Sequence, residues 1–191
     1  NEKFVLVSVD GQKLECDKVI IATGSKTASK TGSDGSGYEL AKKVGHSINT
    51  VLPALTSLIC EGKFLKEWEK IRCDASVSLF ENGRFIKKDT GEIQLTRNGI
   101  SGICTFNISG SASKILFSKN KATVKINFLP YIDDCVYNWI CERCGIMGNA
   151  TLEDIFESVF NYKLMFVIFK LAGVLRSDRW FSLDESKKKL L

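Results

Sequence analysis

The first third of the chain predicts a hairpin, a buried strand and a helix. Residues Phe4–Val9 and Lys13–Cys16 alternate weakly between apolar and polar side chains around Asp10-Gly11, a pair typical of tight turns. An unbroken apolar run follows from Val19 to Ala22, as expected of a strand that is buried on both faces. Such a strand needs neighbours on both sides, and the surrounding sequence offers few. We therefore expect its sheet to contain strands that lie elsewhere.

A helix is predicted from Gly37. Ser36 is the expected N-cap residue and Glu39 completes a capping box, while Gly45 supplies the C-terminal stop. His46, the only histidine, follows this stop. Because it has no visible catalytic partner, we expect its imidazole to bond the last carbonyls of the helix or to interact favourably with the helix dipole.

The pattern changes to short strands from Ile48 and to helices from Ile132, which predicts an α+β fold. Asn82-Gly83 between two of the strand segments is a hairpin signal. Many short strands in succession are typical of an antiparallel barrel or a sandwich, here over about 48–130. The 3.6-residue period after them predicts a helical subdomain over about 132–191. The predicted strands are Ile48–Leu52, Ser57–Cys60, Ala75–Phe80, Arg84–Lys87, Glu92–Thr96, Gly102–Ile108 and Thr123–Phe128.

Four helices are predicted in the helical subdomain. The first covers Asp133–Cys144, and the second is capped by Thr151 and Asp154. The third, Lys163–Leu171, is apolar on most faces and should lie in the middle of a small bundle. Ser182 and Glu185 should open the last helix.

Composition excludes several classes of protein. With 44% apolar residues in 191, the chain can bury a core. Its net charge of +5 is scattered in lysine pairs without an Arg/aromatic stripe, so we expect no nucleic-acid partner. The longest apolar run, Leu164 to Leu175, is broken by Lys170 and falls short of the roughly 20 residues of a membrane span. Seven irregularly spaced cysteines fit reduced thiols and a cytoplasmic protein.

Two longer segments carry a family resemblance. They are DKVIIATGSKTASKTGSDGSGYELAKKVGH over residues 17–46 and GEIQLTRNGISGICTFNIS over residues 91–109, with Pro53-Ala54-Leu55 between them. In this order they resemble the FAD-dependent flavoproteins of the BaiN-like, aminoacetone-oxidase type. The resemblance implies that residues 1–47 are a remnant of a Rossmann-like FAD-binding domain. Residues 48–191 would then be an inserted domain with an antiparallel β-barrel and a helical subdomain.

The resemblance also implies a function. The sequence contains no G-x-G-x-x-G turn, which holds the pyrophosphate in dinucleotide-binding domains, so we expect an internal fragment of a longer protein. That parent would be a flavoprotein oxidoreductase in which FAD carries the redox chemistry and the insert domain covers the substrate side. Expected partners are the rest of the flavin domain, a small-molecule substrate and, as a further candidate, a second redox cofactor. The fragment alone should be inactive and should bind FAD weakly or not at all.

The residues themselves leave a second class open. A barrel with a helical bundle is also suited to a non-catalytic module that binds a ligand or a partner. No residue can be assigned as catalytic from this sequence.

The expected cofactor-binding residues surround a glycine turn. Gly24 lets the main chain approach a dinucleotide without a Cβ in the way. The resemblance implies contacts from Ala22, Thr23, Gly24, Ser25, Thr31 and Gly32. On residues alone the alternatives are an ordinary strand–loop junction and, for Thr31, a capping role. The sequence departs from the family at Ser25, where a second glycine is usual.

Two other motifs favour structural roles. Cys135, Cys141 and Cys144 include a C-x-x-C spacing but lack a second pair or nearby histidines, so we expect core thiols and no metal. Gly99-Ile100-Ser101-Gly102 is one residue short of a nucleophile elbow. We expect both glycines to be bulge or close-approach positions, with Ser101 as a candidate group on the substrate side.

Overall fold

The computed structural model describes residues 3–132 and 136–191. The chain divides into two compact units, residues 1–51 and residues 52–191. The sequence predicts a domain boundary between residues 47 and 48.

The first unit contains a hairpin and a helix, as predicted. Strands β1 (Phe4–Val7) and β2 (Lys13–Cys16) pair antiparallel. A short 3₁₀ helix, Lys26–Thr31, precedes helix α1, Ser36–Lys43. After α1, the Gly45 N–H donates to the Lys42 carbonyl at 3.0 Å and the His46 N–H to that of Ala41 at 3.1 Å. These two bonds form a Schellman motif, so Gly45 is the helix stop.

Two predictions for this unit are wrong, and a third is wrong in part. Val19–Ala22 forms no strand and Ile20 is 90% exposed, because a strand buried on both faces needs ladder partners that the described residues do not supply. The N-cap of α1 is Gly35, and no capping box forms, since Glu39 bonds Lys42 at 2.8 Å. The bond from His46 to the helix comes from its backbone N–H and not from its imidazole.

The second unit is built on a curled, five-stranded antiparallel half-barrel, which confirms the predicted class of fold. The strands follow in the order β3-β6-β5-β4-β7. Asn82 and Gly83, with φ of 48° and 87°, form the predicted two-residue hairpin between β4 and β5. The strands are β3 (Leu58–Ile59), β4 (Arg72–Glu81), β5 (Arg84–Thr96), β6 (Gly99–Ser101) and β7 (Ala122–Asn127).

The strand predicted over Gly102–Ile108 is wrong, because this segment begins helix α2, Ile103–Phe117. Its buried residues recur at helical spacing and pack on one face of the sheet: Cys104, Ile108, Ala112 and Ile115. A short apolar run is compatible with either structure, and the packing surface decides between them. The strand predicted over Ile48–Leu52 is also wrong, since these residues form no regular structure.

Helix α5 joins two hydrophobic cores. Leu164 and Val167 belong to the core between the sheet and α2, whereas Met165 and Phe169 belong to the core of the helical subdomain. The predicted central position of this helix is therefore confirmed. The helices of the subdomain are α3 (Val136–Met147), α4 (Leu152–Phe156), α5 (Tyr162–Ala172) and α6 (Glu185–Leu190).

The helix ends in this subdomain were predicted with mixed success. The capping box of Thr151 and Asp154 at α4 is confirmed. The N-cap of α6 is Asp184 and not Ser182, which belongs to a short 3₁₀ helix, Trp180–Ser182. The predicted start of the first helix at Asp133 lies outside the described residues.

Candidate functional site

The glycine turn at Gly24 lies against the loop that leads into α1. Gly24 has a φ of +76°, and a Cβ on it would lie 2.4 Å from Ser33 Oγ. A Cβ on Gly37, in the first turn of α1, would lie 2.1 Å from Thr23 Oγ1 and 3.1 Å from Ile21 Cγ2. The turn and the helix therefore approach closely, and glycine at both positions permits this contact.

The hydroxyl groups near the turn are engaged locally. Ser25 caps the 3₁₀ helix, where its Oγ accepts from the Thr27 N–H at 3.3 Å. Thr31 Oγ1 donates to the Ala28 carbonyl at 2.7 Å. Gly32 ends the 3₁₀ helix with a φ of +88° and has open space where a Cβ would be. Ser25 and Thr31 thus shape the loop through local hydrogen bonds.

The backbone of the turn is available to a ligand. Ala22, Thr23 and Gly24 are exposed, and their N–H groups donate to no acceptor within residues 3–132 and 136–191. Free N–H groups on a glycine turn beside a helix N-terminus suit the phosphate-bearing part of a dinucleotide. The residues present therefore fit one edge of a flavin dinucleotide site.

Asp34 sets the charge at the start of α1. Its carboxylate accepts from the Ser36 N–H at 2.9 Å. This bond, with a smaller contribution from the charge of Lys26, holds the pKa of Asp34 below its usual value. A negative charge therefore already lies at this helix end, and a phosphate group would be better placed beside the turn than directly on the helix axis.

An apolar groove lies in the same unit. It has a volume of about 560 Å³ and lies between β1, Val19, Ile21 and the end of α1. Its lining side chains include Phe4, Leu6 and Val44, which are 45%, 43% and 53% exposed. The first unit thus presents apolar surface beside the exposed turn.

Gly99 of β6 and Gly102, the N-cap of α2, are confirmed as close-approach positions. A Cβ on Gly99 would lie 2.1 Å from the Leu58 carbonyl oxygen, and a Cβ on Gly102 would lie 2.5 Å from that of Glu92. Ser101 between them is half-buried, and its carbonyl accepts from Thr105 Oγ1 at 3.0 Å. The substrate-side role of Ser101 stays a prediction.

The cysteines of α3 are core thiols. Cys144 is completely buried in the helical core, and Cys141 packs against the same core. Burial raises the pKa of Cys144 to about 11, so its thiol is protonated at neutral pH. Cys135 lies outside the described residues. No group of three His, Cys, Asp or Glu side chains in the described part of the chain could hold a metal ion.

The sequence did not predict that Ser33 and Gly37 contact the turn. Both belong to the run Thr31–Gly37, where glycine recurs at positions 32, 35 and 37. Glycines at such short spacing are a signal of close backbone approach, which could have indicated these contacts.

The half-barrel and its helical subdomain form a barrel-and-helix domain. The family model described as "HI0933-like protein barrel and H2TH domain" matches residues 52–191, and the chain belongs to this BaiN-like family of FAD-dependent flavoproteins. The chain is also similar to a 3-dehydro-bile acid delta(4,6)-reductase from Clostridium scindens.

The similarity to this reductase extends beyond the matched domain. The identity is 31% over 201 residues, which cover 99% of this chain and 48% of the reductase. The chain therefore spans about half the length of this curated relative. Within the described residues, no helix has both the length and the apolar character that a membrane crossing requires.

Proposed function

We propose that this chain forms part of a flavoprotein oxidoreductase that uses FAD. In this proposal residues 1–47 belong to the FAD-binding domain, and residues 48–191 form an inserted domain that covers the substrate side of the flavin. The similarity to a reductase over 99% of the chain carries the proposal, because it includes both units. The name of that relative supports a reduction of a small organic molecule as the reaction of the longer protein.

The turn provides the proposed contacts with FAD. The exposed N–H groups of Ala22, Thr23 and Gly24 would bind the cofactor through the main chain, and Gly24 would keep a side chain out of the contact. Ser25, Thr31 and Gly32 would hold the loop in shape by their local hydrogen bonds. FAD, when bound, supplies the redox chemistry, and the protein supplies binding and orientation.

A pair of glycine substitutions tests this proposal in the longer protein encoded by the gene. Gly24→Val adds a β-branched side chain at the turn, and we expect a markedly lower flavin content per protein, measured by absorbance after purification. Gly45→Val is the matched control, since Gly45 has a similar φ of +91° in the same unit but open space around its Cβ position. It should lower stability while the flavin content of the folded protein is retained.

Two results would count against the proposal. Equal flavin content in the Gly24→Val and Gly45→Val proteins would make Gly24 a packing residue only. A longer protein that purifies without flavin, and that does not bind added FAD, would favour the non-catalytic binding module.

A further inference from the structure

Two lysines flank a serine on the face of the sheet that is opposite to α2. Ser78 of β4 pairs with Lys88 of β5 on one side and with Lys125 of β7 on the other. Directly paired residues point to the same face, so the three side chains form one row across three strands. The backbones of the two lysines are separated by two strand spacings, about 9.5 Å. Both side chains are long and flexible, so their ammonium groups can reach one ligand above Ser78.

Both lysines lack a carboxylate partner among the described residues. The carboxylates of the neighbouring positions on β4 and β5 are engaged elsewhere. Glu92 pairs with Arg72 at 3.2 Å, and Asp74 accepts from the Tyr131 hydroxyl at 3.1 Å. The row therefore carries two positive charges that the fold does not neutralise.

An aromatic pair lies next to this row. Phe80 of β4 pairs with Phe85 of β5, and their rings meet edge to face with centroids 5.8 Å apart. Lys125 Nζ lies 5.0 Å from the centroid of the Phe80 ring. Phe85 is 55% exposed, so a flat apolar surface is open to solvent one residue pair away from the cations.

On the side of Ser78 away from the phenylalanines, the neighbouring pair on the same face, Ser76 and Thr90, adds a hydrogen-bond donor. Ser76 Oγ and Thr90 Oγ1 are 2.7 Å apart, and one hydroxyl donates to the other. Ser76 is 2% exposed whereas Thr90 is exposed, so the Thr90 hydroxyl is the one that can reach a ligand, and it can donate to that ligand when it accepts from Ser76. The Ser78 hydroxyl between the lysines offers a further donor.

Protection of strand edges explains only part of this arrangement. Charged residues on exposed strands discourage pairing with other chains, and Lys88 and Lys125 suit that role. An exposed phenylalanine on the same face has the opposite effect, because it adds apolar surface beside the edge. Phe85 next to the unpaired lysines would suit a ligand with both an anionic and a planar apolar part.

We propose that this face, formed by Ser78, Phe80, Phe85, Lys88 and Lys125, binds a nucleoside phosphate. The phosphate lies between the two ammonium groups and accepts from the Ser78 hydroxyl in charge-assisted hydrogen bonds. The base stacks on the exposed ring of Phe85, as bases do on aromatic side chains of other sheets. The proposal does not depend on the function proposed above.

Titration of the 191-residue chain with AMP, followed by amide NMR shifts and calorimetry, tests this site. We expect shift changes around Ser78 and Lys88, and about tenfold weaker binding for Lys88→Gln and for Lys125→Gln. Lys87→Gln is the matched control, because it makes the same charge change at the residue that directly precedes Lys88 in β5. Lys87 lies on the other face, where its Nζ donates to the Asn107 carbonyl at 2.9 Å. This control should bind AMP like the unmodified chain.

A Phe85 variant and inorganic phosphate distinguish the role of the aromatic ring from that of the two lysines. Phe85→Leu should weaken AMP binding and leave the weaker binding of inorganic phosphate unchanged. Inorganic phosphate that binds as tightly as AMP would overturn the role of the ring. Shift changes confined to residues 22–32 would assign AMP to the glycine turn and overturn the proposal, as would absence of binding at millimolar AMP. Affinity for single-stranded oligonucleotides that rises with length would replace it with nucleic-acid binding.

Discussion

Gly99→Ala should destabilise the second unit by several kcal/mol, because the added methyl group meets the backbone of residues 58–60. The Cβ would lie 2.1 Å from the Leu58 carbonyl oxygen and 2.8 Å from the Cys60 nitrogen. Leu58 is held in place by its pairing with Ile100, so it cannot rotate away as a flexible side chain would. The φ of Gly99 is +151°, a backbone conformation that alanine rarely adopts, and this adds a conformational cost.

The size of the effect follows from these two contributions. A residue held in a sparsely populated backbone region costs about 1–3 kcal/mol. Overpacking of a well-packed interior costs about 1–3 kcal/mol more. Their sum is a large share of the roughly 5–15 kcal/mol that stabilises a typical domain. For a protein of this size, we expect the melting temperature to fall by roughly 5–20 °C.

Two other glycines separate the contributions. Gly83→Ala imposes a positive φ of 87° with no atom within 4 Å of the Cβ, so only the conformational cost remains. Gly91→Ala has neither problem, since its nearest neighbour is the Cys104 Cβ at 4.0 Å. Urea and thermal unfolding followed by circular dichroism should rank the losses as Gly99→Ala, Gly83→Ala, then Gly91→Ala. A Gly99→Ala protein no less stable than Gly83→Ala would refute the close approach of β6 and β3.

Two further predictions concern the helical subdomain. Thr151→Ala removes the hydrogen bonds of the capping box and should cost about 1 kcal/mol in urea unfolding, whereas Ser182→Ala should cost less, because Ser182 caps no helix. Burial raises the pKa of the Cys144 thiol from 9.0 to about 11 in the folded protein. As the pH rises from about 9 to about 11, the thiol of the unfolded chain loses its proton while that of the folded protein keeps it. The free energy of unfolding therefore falls over this range. The loss attributable to Cys144 is about 1 kcal/mol at pH 10, and Cys144→Ala should flatten the decline in the urea midpoint between pH 8 and pH 10; an unchanged decline would contradict a buried protonated thiol.

Short-range signals predicted the turns and two of the helix ends correctly. Asp10-Gly11, Asn82-Gly83 and Gly45 each occur where the structure has a turn or a helix end. Thr151 and Asp154 likewise form their capping box. These features depend on backbone geometry within a few residues, which local side chains determine directly.

Ambiguity appeared where local preference was compatible with two structures. Gly102–Ile108 could be a strand or the start of a helix, and its neighbours in space made it the start of α2. At α1, Ser36 and Glu39 match a capping box, but Gly35 takes the N-cap position instead. Val19–Ala22 has the composition of a buried strand, and without ladder partners it forms none.

The sequence by itself predicted the fold class, because the change from strand to helix period is a contiguous pattern, and its two longer motifs carried the resemblance to the family. The candidate FAD residues around Gly24 came from that resemblance, and their contacts with FAD stay a prediction. The tertiary structure alone decided which distant residues come together: Gly99 lies against Leu58, and Lys88 and Lys125 lie in one row on either side of Ser78. Strand order and register create these contacts, and neither follows from the residues of one strand, since pairing depends on how the whole sheet buries its apolar face.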